Sequence, residues 1–178
     1  MTLGSPGAWL GAYLIVLAVQ RVAELGHSAR NERQLRARGA VEHGAAHFPR
    51  IVFVHALFPI LLALEVLLLG AHPNAWWPLW LGMWLAAQVL RYAAVAALGE
   101  RWTVRIWVLP GVSLVRRGPY RLMRHPNYVA VVVELLAAPL LFGAWRTALV
   151  IGVLDLLALR QRIRAEEAAL AAASEAAG

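Results

Sequence analysis

The chain has no cysteine, which excludes disulfides, thiolate metal ligands and a cysteine nucleophile. It has no lysine either, so its net charge of +7 rests on 17 basic residues that are all arginine. No strand, glycine-rich turn and helix follow one another, which removes the Rossmann type of nucleotide site, and no period-2 alternation is long enough for a strand. No internal repeat and no Ser/Gly-rich linker divides the 178 residues, so 1–178 reads as a single domain. The first apolar stretch lacks both a basic n-region and a small-residue cleavage site, so it reads as a retained segment and not a removable signal peptide.

The sequence is rich in apolar residues. It is 61% hydrophobic with a mean hydropathy of +0.61, against about 45–50% apolar content in ordinary soluble domains. Five apolar runs stand out: Ala8 to Val22, Ile51 to Leu69, Trp76 to Ala97, Tyr128 to Phe142 and Trp145 to Leu159. The first three approach the roughly 20 residues needed to cross a hydrocarbon core; the last two are shorter and part only at Gly143-Ala144, a tight helical hairpin. The expected fold class is all-α: a polytopic membrane bundle of about five helices with a C-terminal cytoplasmic helix.

Arginine placement orients this bundle. The first loop carries Arg30, Arg33, Arg36, Arg38 and Arg50; the third carries Arg101, Arg105, Arg116, Arg117, Arg121 and Arg124; the tail carries Arg160, Arg162 and Arg164. The second loop has none and the fourth has only Arg146. Trp9, Trp76, Trp77 and Trp145 fall at the opposite interface from Trp102 and Trp107. Both patterns predict an N-terminus outside, a C-terminus inside and a multi-pass protein of the bacterial inner membrane. Nucleic acid is not an expected partner; membrane lipid and a lipophilic small molecule are.

The polar, aromatic and turn residues concentrate in Leu98 to Glu134. Gly118-Pro119 marks a turn, and Pro126 suits the first position of a helix with His125 just outside it. The free N–H groups of that helix end, with Arg121 and Arg124 beside them and His125 and Tyr128 at the entrance, would accept a carboxylate or phosphate. A positive-inside loop followed by an ordinary proline-started membrane helix is the alternative reading of the same residues.

The run GPYRLMRHPNY resembles the signature of the isoprenylcysteine carboxyl methyltransferase family, and Arg162-Ile163-Arg164-Ala165-Glu166-Glu167-Ala168-Ala169-Leu170 is similar to its closing R-I-x-x-E-E-x-x-L motif. The resemblance spans Leu98 to Leu170. It implies S-adenosylmethionine as methyl donor, with Gly118, Tyr120, Arg124, His125, Pro126, Tyr128 and Glu167 as its binding residues. Arg162 and Glu166 match positions near the substrate and the transferred methyl.

Prenylcysteine enzymes usually carry a glycine two positions after the motif tyrosine; this chain has Val129-Ala130 and runs on to Glu134. Its first half, with Arg30-Asn31-Glu32-Arg33 and Gly39 to His47, resembles a bacterial branch associated with type III polyketide synthases, whose members O-methylate alkylresorcinols or alkylpyrones. Carboxyl methylation of a prenylcysteine-like molecule, an NADPH-dependent membrane lipid reductase with a similar H-P-N-Y helix entrance, and a non-enzymatic adaptor are the rival readings.

Glu65, Arg91, Glu134 and Asp155 lie in or near the apolar runs, where an ionisable group costs about 2.5–3.5 kcal/mol and faces a partner or a wet cavity. A structural pair such as Glu65 with Arg91 is one expectation. Glu134, two turns beyond Pro126, is expected to line a pocket below the cofactor as a catalytic group beside Arg162 and Glu166. Glu166, Glu134 and His125 are the candidate bases for a substrate hydroxyl. His43 and His47 are four apart with His55 beyond, yet no carboxylate or cysteine completes a metal set, so no metal is expected.

Overall fold

The computed structural model describes residues 6–175. It contains five long helices: α1 (Pro6–Ala37), α2 (Phe48–Leu67), α3 (Trp77–Leu98), α4 (Pro126–Leu141) and α5 (Trp145–Glu175). Three of them, α1, α2 and α3, are long and apolar enough to cross a bilayer, whereas α4 is apolar but shorter. Large apolar side chains such as Ile15, Val19, Phe53, Leu67, Val89 and Val153 are exposed on these helices. Such a surface is stable against lipid and costly against water, so the bundle belongs in a membrane.

The helices begin and end where local chemistry dictates. Pro126 takes the first position of α4, where its missing N–H is no loss, with His125 as the N-cap residue. Between α4 and α5 the turn passes through Gly143 at φ 72°. A side chain there would run into the backbone carbonyl of His72, because the α4–α5 turn packs directly on the α2–α3 loop. Gly143→Ala should therefore lower stability by more than about 2 kcal/mol, combining left-handed strain with overpacking. Thermal unfolding in detergent checks this, with Gly70→Ala as control, since Gly70 is also at positive φ but has nothing within 4 Å of a Cβ.

Helix α4 packs between α3 and α5, while α2 lies against α5 and α1. The core joins Val54, Phe58 and Leu62 of α2 to Leu135 and Ala138 of α4 and Ile151 of α5. Glu65, Arg91 and Glu134 are paired between helices, whereas both carboxylate oxygens of Asp155, 1% exposed on α5, have no hydrogen-bond partner among the described residues. The expected Glu65–Arg91 pair does not form. Glu65 instead crosses to the start of α5 and accepts from Thr147 N–H at 2.7 Å, Thr147 hydroxyl at 2.7 Å and Arg146 N–H at 3.1 Å. A carboxylate so placed satisfies orphan donors and opposes the positive helix end. Arg91 reaches Glu134.

The Arg30-Asn31-Glu32-Arg33 stretch, predicted as loop, continues α1 as helix. Its polar face holds the segment after α3: Asn31 donates to the carbonyls of Gly99 at 3.1 Å and Trp102 at 2.7 Å, and Ser28 Oγ accepts from Val104 N–H at 2.9 Å. Beyond α1 the chain forms β1 (Val41–His43), which pairs antiparallel with β2 (Ile106–Val108), Glu42 lying opposite Trp107. Three residues each is too short to leave a period-2 signal, so the sequence reading missed this ribbon. The polar second half of α5 closes on it, packing Ala169 and Leu170 against Ile106 and Val108.

Candidate active site

Where the ribbon, the start of α4 and the second half of α5 meet, they leave an open cleft of about 570 Å³ counted with its solvent-open side. Tyr120, His125, Asn127 and Tyr128 line one wall, Arg162, Glu166 and Leu170 another, and Leu98 to Val108 the floor.

A chain of polar contacts ties the two motif segments together. Arg162 donates through Nε to the Tyr128 hydroxyl at 2.9 Å and through Nη2 to the Val104 carbonyl at 2.6 Å. The Tyr128 hydroxyl donates in turn to Glu166. The His125 ring stacks on Tyr128 with centroids 5.3 Å apart, and its Nε2 lies 3.2 Å from Glu167. Arg162 and Glu166, which are spaced as an ordinary surface pair on α5, are thus bridged through a tyrosine of another helix. Tyr120 is held protonated by burial and by the nearby charge of Glu166, both of which raise its pKa, so it offers a hydroxyl donor.

Of the predicted cofactor residues, Tyr120, His125 and Tyr128 line the cleft, and Glu167 stands beside them through His125. Pro126 is buried as the first residue of α4. Gly118 lies behind the cleft, where a Cβ would come within 3.2 Å of Ala97, and seats the Gly118–Arg121 turn on α3. Arg124 is 87% exposed, at 3.5 Å from Glu167, and neither it nor Arg121 lines the cleft; Arg101 and Arg105 do. The α4 entrance is less open than predicted, since Tyr128 and Val129 N–H both bond to the His125 carbonyl.

Glu134 takes no part in the cleft. It is 1% exposed and bound by Arg21 at 2.7 Å and by Arg91, while Arg21 also holds Glu24 at 2.6 Å. Its distance along α4 from Pro126 was read correctly, but its side chain turns toward α1 and α3. Residues the sequence reading did not assign to the site are Trp102, Thr103, Arg105, Trp107 and Asn127. Trp102 and Trp107, interface anchors by their sequence position, lie on the cleft floor. His43 and His47 line a second, smaller cavity that shares Arg105, Ile106 and Arg162 with the cleft.

Two buried atoms on residues lining the cleft have no hydrogen-bond partner among the described residues, Asn127 Oδ1 and Trp107 Nε1. One accepts and the other donates, as the ring nitrogens and amino group of an adenine require. The carboxylates of Glu166 and Glu167 suit cationic groups, and Arg101 and Arg105 suit a carboxylate. These residues fit S-adenosylmethionine, whose adenine, sulfonium, ammonium and carboxylate need this mixture.

Comparison with known proteins agrees with the motif reading. The model of the isoprenylcysteine carboxyl methyltransferase (ICMT) family matches residues 80–172, and members of that family are S-adenosylmethionine-dependent methyltransferases. The uncharacterized protein YpbQ of Bacillus subtilis (strain 168) is 41% identical over 162 residues, 91% of this chain and 95% of that one. An uncharacterized protein of Haemophilus influenzae is 30% identical over 159 residues, 89% of this chain and 92% of that one. No solved structure matches. With more than half its length under that family's model, including both motifs that build the cleft, the chain belongs to the isoprenylcysteine carboxyl methyltransferase family.

Proposed function

We propose that this protein is an S-adenosylmethionine-dependent O-methyltransferase of the bacterial inner membrane, acting on a hydroxyl of a lipophilic molecule of the alkylresorcinol or alkylpyrone class. The observation that carries the reading is the convergence of His125, Tyr128, Arg162, Glu166 and Glu167 on one cleft at the arginine-rich end of an apolar bundle. The proposed topology is five spans with the N-terminus outside and this end in the cytoplasm. It is supported by the joining of the polar halves of α1 and α5 to the 99–125 segment at one end.

S-adenosylmethionine, when bound, supplies an electrophilic methyl. The chain's own part is to align and shield the reactants. Asn127, Trp107, Tyr120 and the His125–Glu167 pair would hold the cofactor, and Arg162, fixed by donating to two acceptors, would steady negative charge on the acceptor oxygen. The lipid tail of the acceptor would stay between helices or enter sideways from the bilayer.

Calorimetric titration of detergent-purified protein with S-adenosylhomocysteine tests this. Micromolar binding, weakened at least tenfold by His125→Ala, is the expected outcome. Binding of NADPH without S-adenosylhomocysteine would make the protein a reductase, and binding of neither would make it an adaptor.

A further inference from the structure

Between Glu100 and Glu134 the chain has no acidic residue and six arginines. Two of the six pin this stretch to the end of α3. Arg117 donates through Nε to the Ala97 carbonyl at 2.7 Å, and Arg101 donates through Nη1 to the Ser113 carbonyl at 2.7 Å. Gly118 seats the Gly118–Arg121 turn against Ala97, and Met123 and Arg124 come just before His125 and the first residue of α4. The 112–124 segment is thus fixed where α3 and α4 leave the hydrocarbon.

Its side chains are of two kinds. Leu122 is 87% exposed, more than any other large apolar side chain described, and Leu114, Val112 and Met123 are exposed with it. Most other exposed apolar groups lie on the long helices, where lipid tails cover them; these four stand on irregular backbone, whose open N–H and C=O groups cannot enter hydrocarbon. Among them, Arg116 and Arg121 are exposed and make no side-chain hydrogen bond or ion pair among the described residues, and Arg124 reaches Glu167 at 3.5 Å. Water alone would penalise the leucines, and a dry protein surface would penalise the guanidiniums. The headgroup layer suits both, with apolar side chains dipping toward the acyl chains and guanidiniums on phosphate oxygens.

We infer that residues 112–124 form a docking surface for anionic phospholipid headgroups, and that the docked lipid supports the cofactor wall of the cleft. Charge decides the partner. A zwitterionic headgroup brings its own ammonium to its phosphate, whereas an anionic one leaves net negative charge for Arg116, Arg121 and Arg124. The path to the cleft is short. Tyr120 lines the cleft while Leu122, two residues on, is turned outward, and His125 lines it again directly after Arg124. Holding the outer side chains in the headgroup layer therefore holds Tyr120 and His125 in the wall. The coupling to the cofactor rests on the methyltransferase reading; the docking does not.

Because the chain has no cysteine, Leu114→Cys carries a single fluorophore on this surface. The labelled protein is placed in nanodiscs of phosphatidylcholine with about one-third phosphatidylglycerol. A spin label on one lipid or the other, at equal mole fraction, then quenches the fluorophore. Phosphatidylglycerol should quench at least twofold more strongly. That preference should vanish in Arg116→Gln with Arg121→Gln, and in about 1 M salt, where charges are screened within about 3 Å. Leu122→Ser should reduce quenching by both lipids. In calorimetry, S-adenosylhomocysteine should bind the unlabelled protein at least threefold more tightly in these nanodiscs than in phosphatidylcholine alone. The arginine variant should lose that gain yet stay within twofold of wild type in phosphatidylcholine, which also reports that it is folded. Equal quenching by the two lipids, or a preference that the arginine variant retains, overturns the docking. So does a preference abolished by inorganic phosphate at constant ionic strength, which would assign the arginines to a soluble anion. A preference with no gain in S-adenosylhomocysteine affinity overturns the support of the cleft. Absence of S-adenosylhomocysteine binding in either lipid removes the methyltransferase reading and the coupling with it, while quenching still decides the docking.

Discussion

Arg162→Ala should lower methyl transfer by about 10²–10³-fold or more, the usual effect of removing a fixed donor at developing negative charge, while the protein still inserts and binds S-adenosylhomocysteine. The geometry makes the loss larger than that of one charge. The guanidinium spans from the Tyr128 hydroxyl at 2.9 Å to the Val104 carbonyl at 2.6 Å, so it fixes α4, α5 and the cleft floor relative to one another. Arg162→Lys should recover less than a tenth of the activity, because a single ammonium cannot reproduce the planar fork that meets both acceptors. Glu167→Ala separates binding from transfer. It frees His125 from its carboxylate contact and should weaken S-adenosylhomocysteine as well as turnover. Steady-state transfer assays paired with calorimetry read both effects, and wild-type turnover in Arg162→Ala would remove this residue from the site.

What could be read from the sequence was local. Pro126 announces the start of α4 because proline loses nothing at that position, and Gly143 marks the hairpin because the turn needs a positive φ. The hydrophobic runs located the apolar helices but not how far they extend: α1 runs on through Arg30 to Arg36 because Ala, Gln, Leu and Arg are good helix formers even where the apolar stripe ends. The ribbon was invisible because each strand has three residues and its partner lies some sixty positions away. The motif residues were found through their resemblance to a family, not through periodicity. The cleft floor, with Trp102, Thr103 and Trp107, was not, since a tryptophan near a membrane end reads equally as an anchor. Partner choice among the buried charges was hidden in part. Depth separates Arg91, fourteen residues into α3, from Glu65, two residues before the end of α2, and matches it to Glu134, while the rotation of each helix decides which groups at that depth meet.

That rotation sets the second large effect. Glu134→Ala should destabilise the bundle by about 3–5 kcal/mol, because it leaves Arg91, itself 3% exposed, without its closest carboxylate. Glu24, at 3.6 Å from Arg91, is only a partial substitute because it already holds Arg21 at 2.6 Å. The double change Glu134→Leu with Arg91→Met should recover most of that loss, since removing both charges removes the desolvation cost along with the attraction, and Arg21 keeps Glu24. Unfolding of the purified protein in detergent measures both. The same variants distinguish structure from chemistry. A group that stabilises the bundle lowers the amount of folded enzyme but leaves the turnover of the folded fraction within a few-fold, and Glu134→Gln, which keeps the volume and one acceptor, should behave in this way. If Glu134→Gln instead unfolded at the wild-type temperature and lost transfer 100-fold, Glu134 would be a member of the catalytic set despite its two arginines, and the cleft would have to open toward α1 and α3 during the reaction.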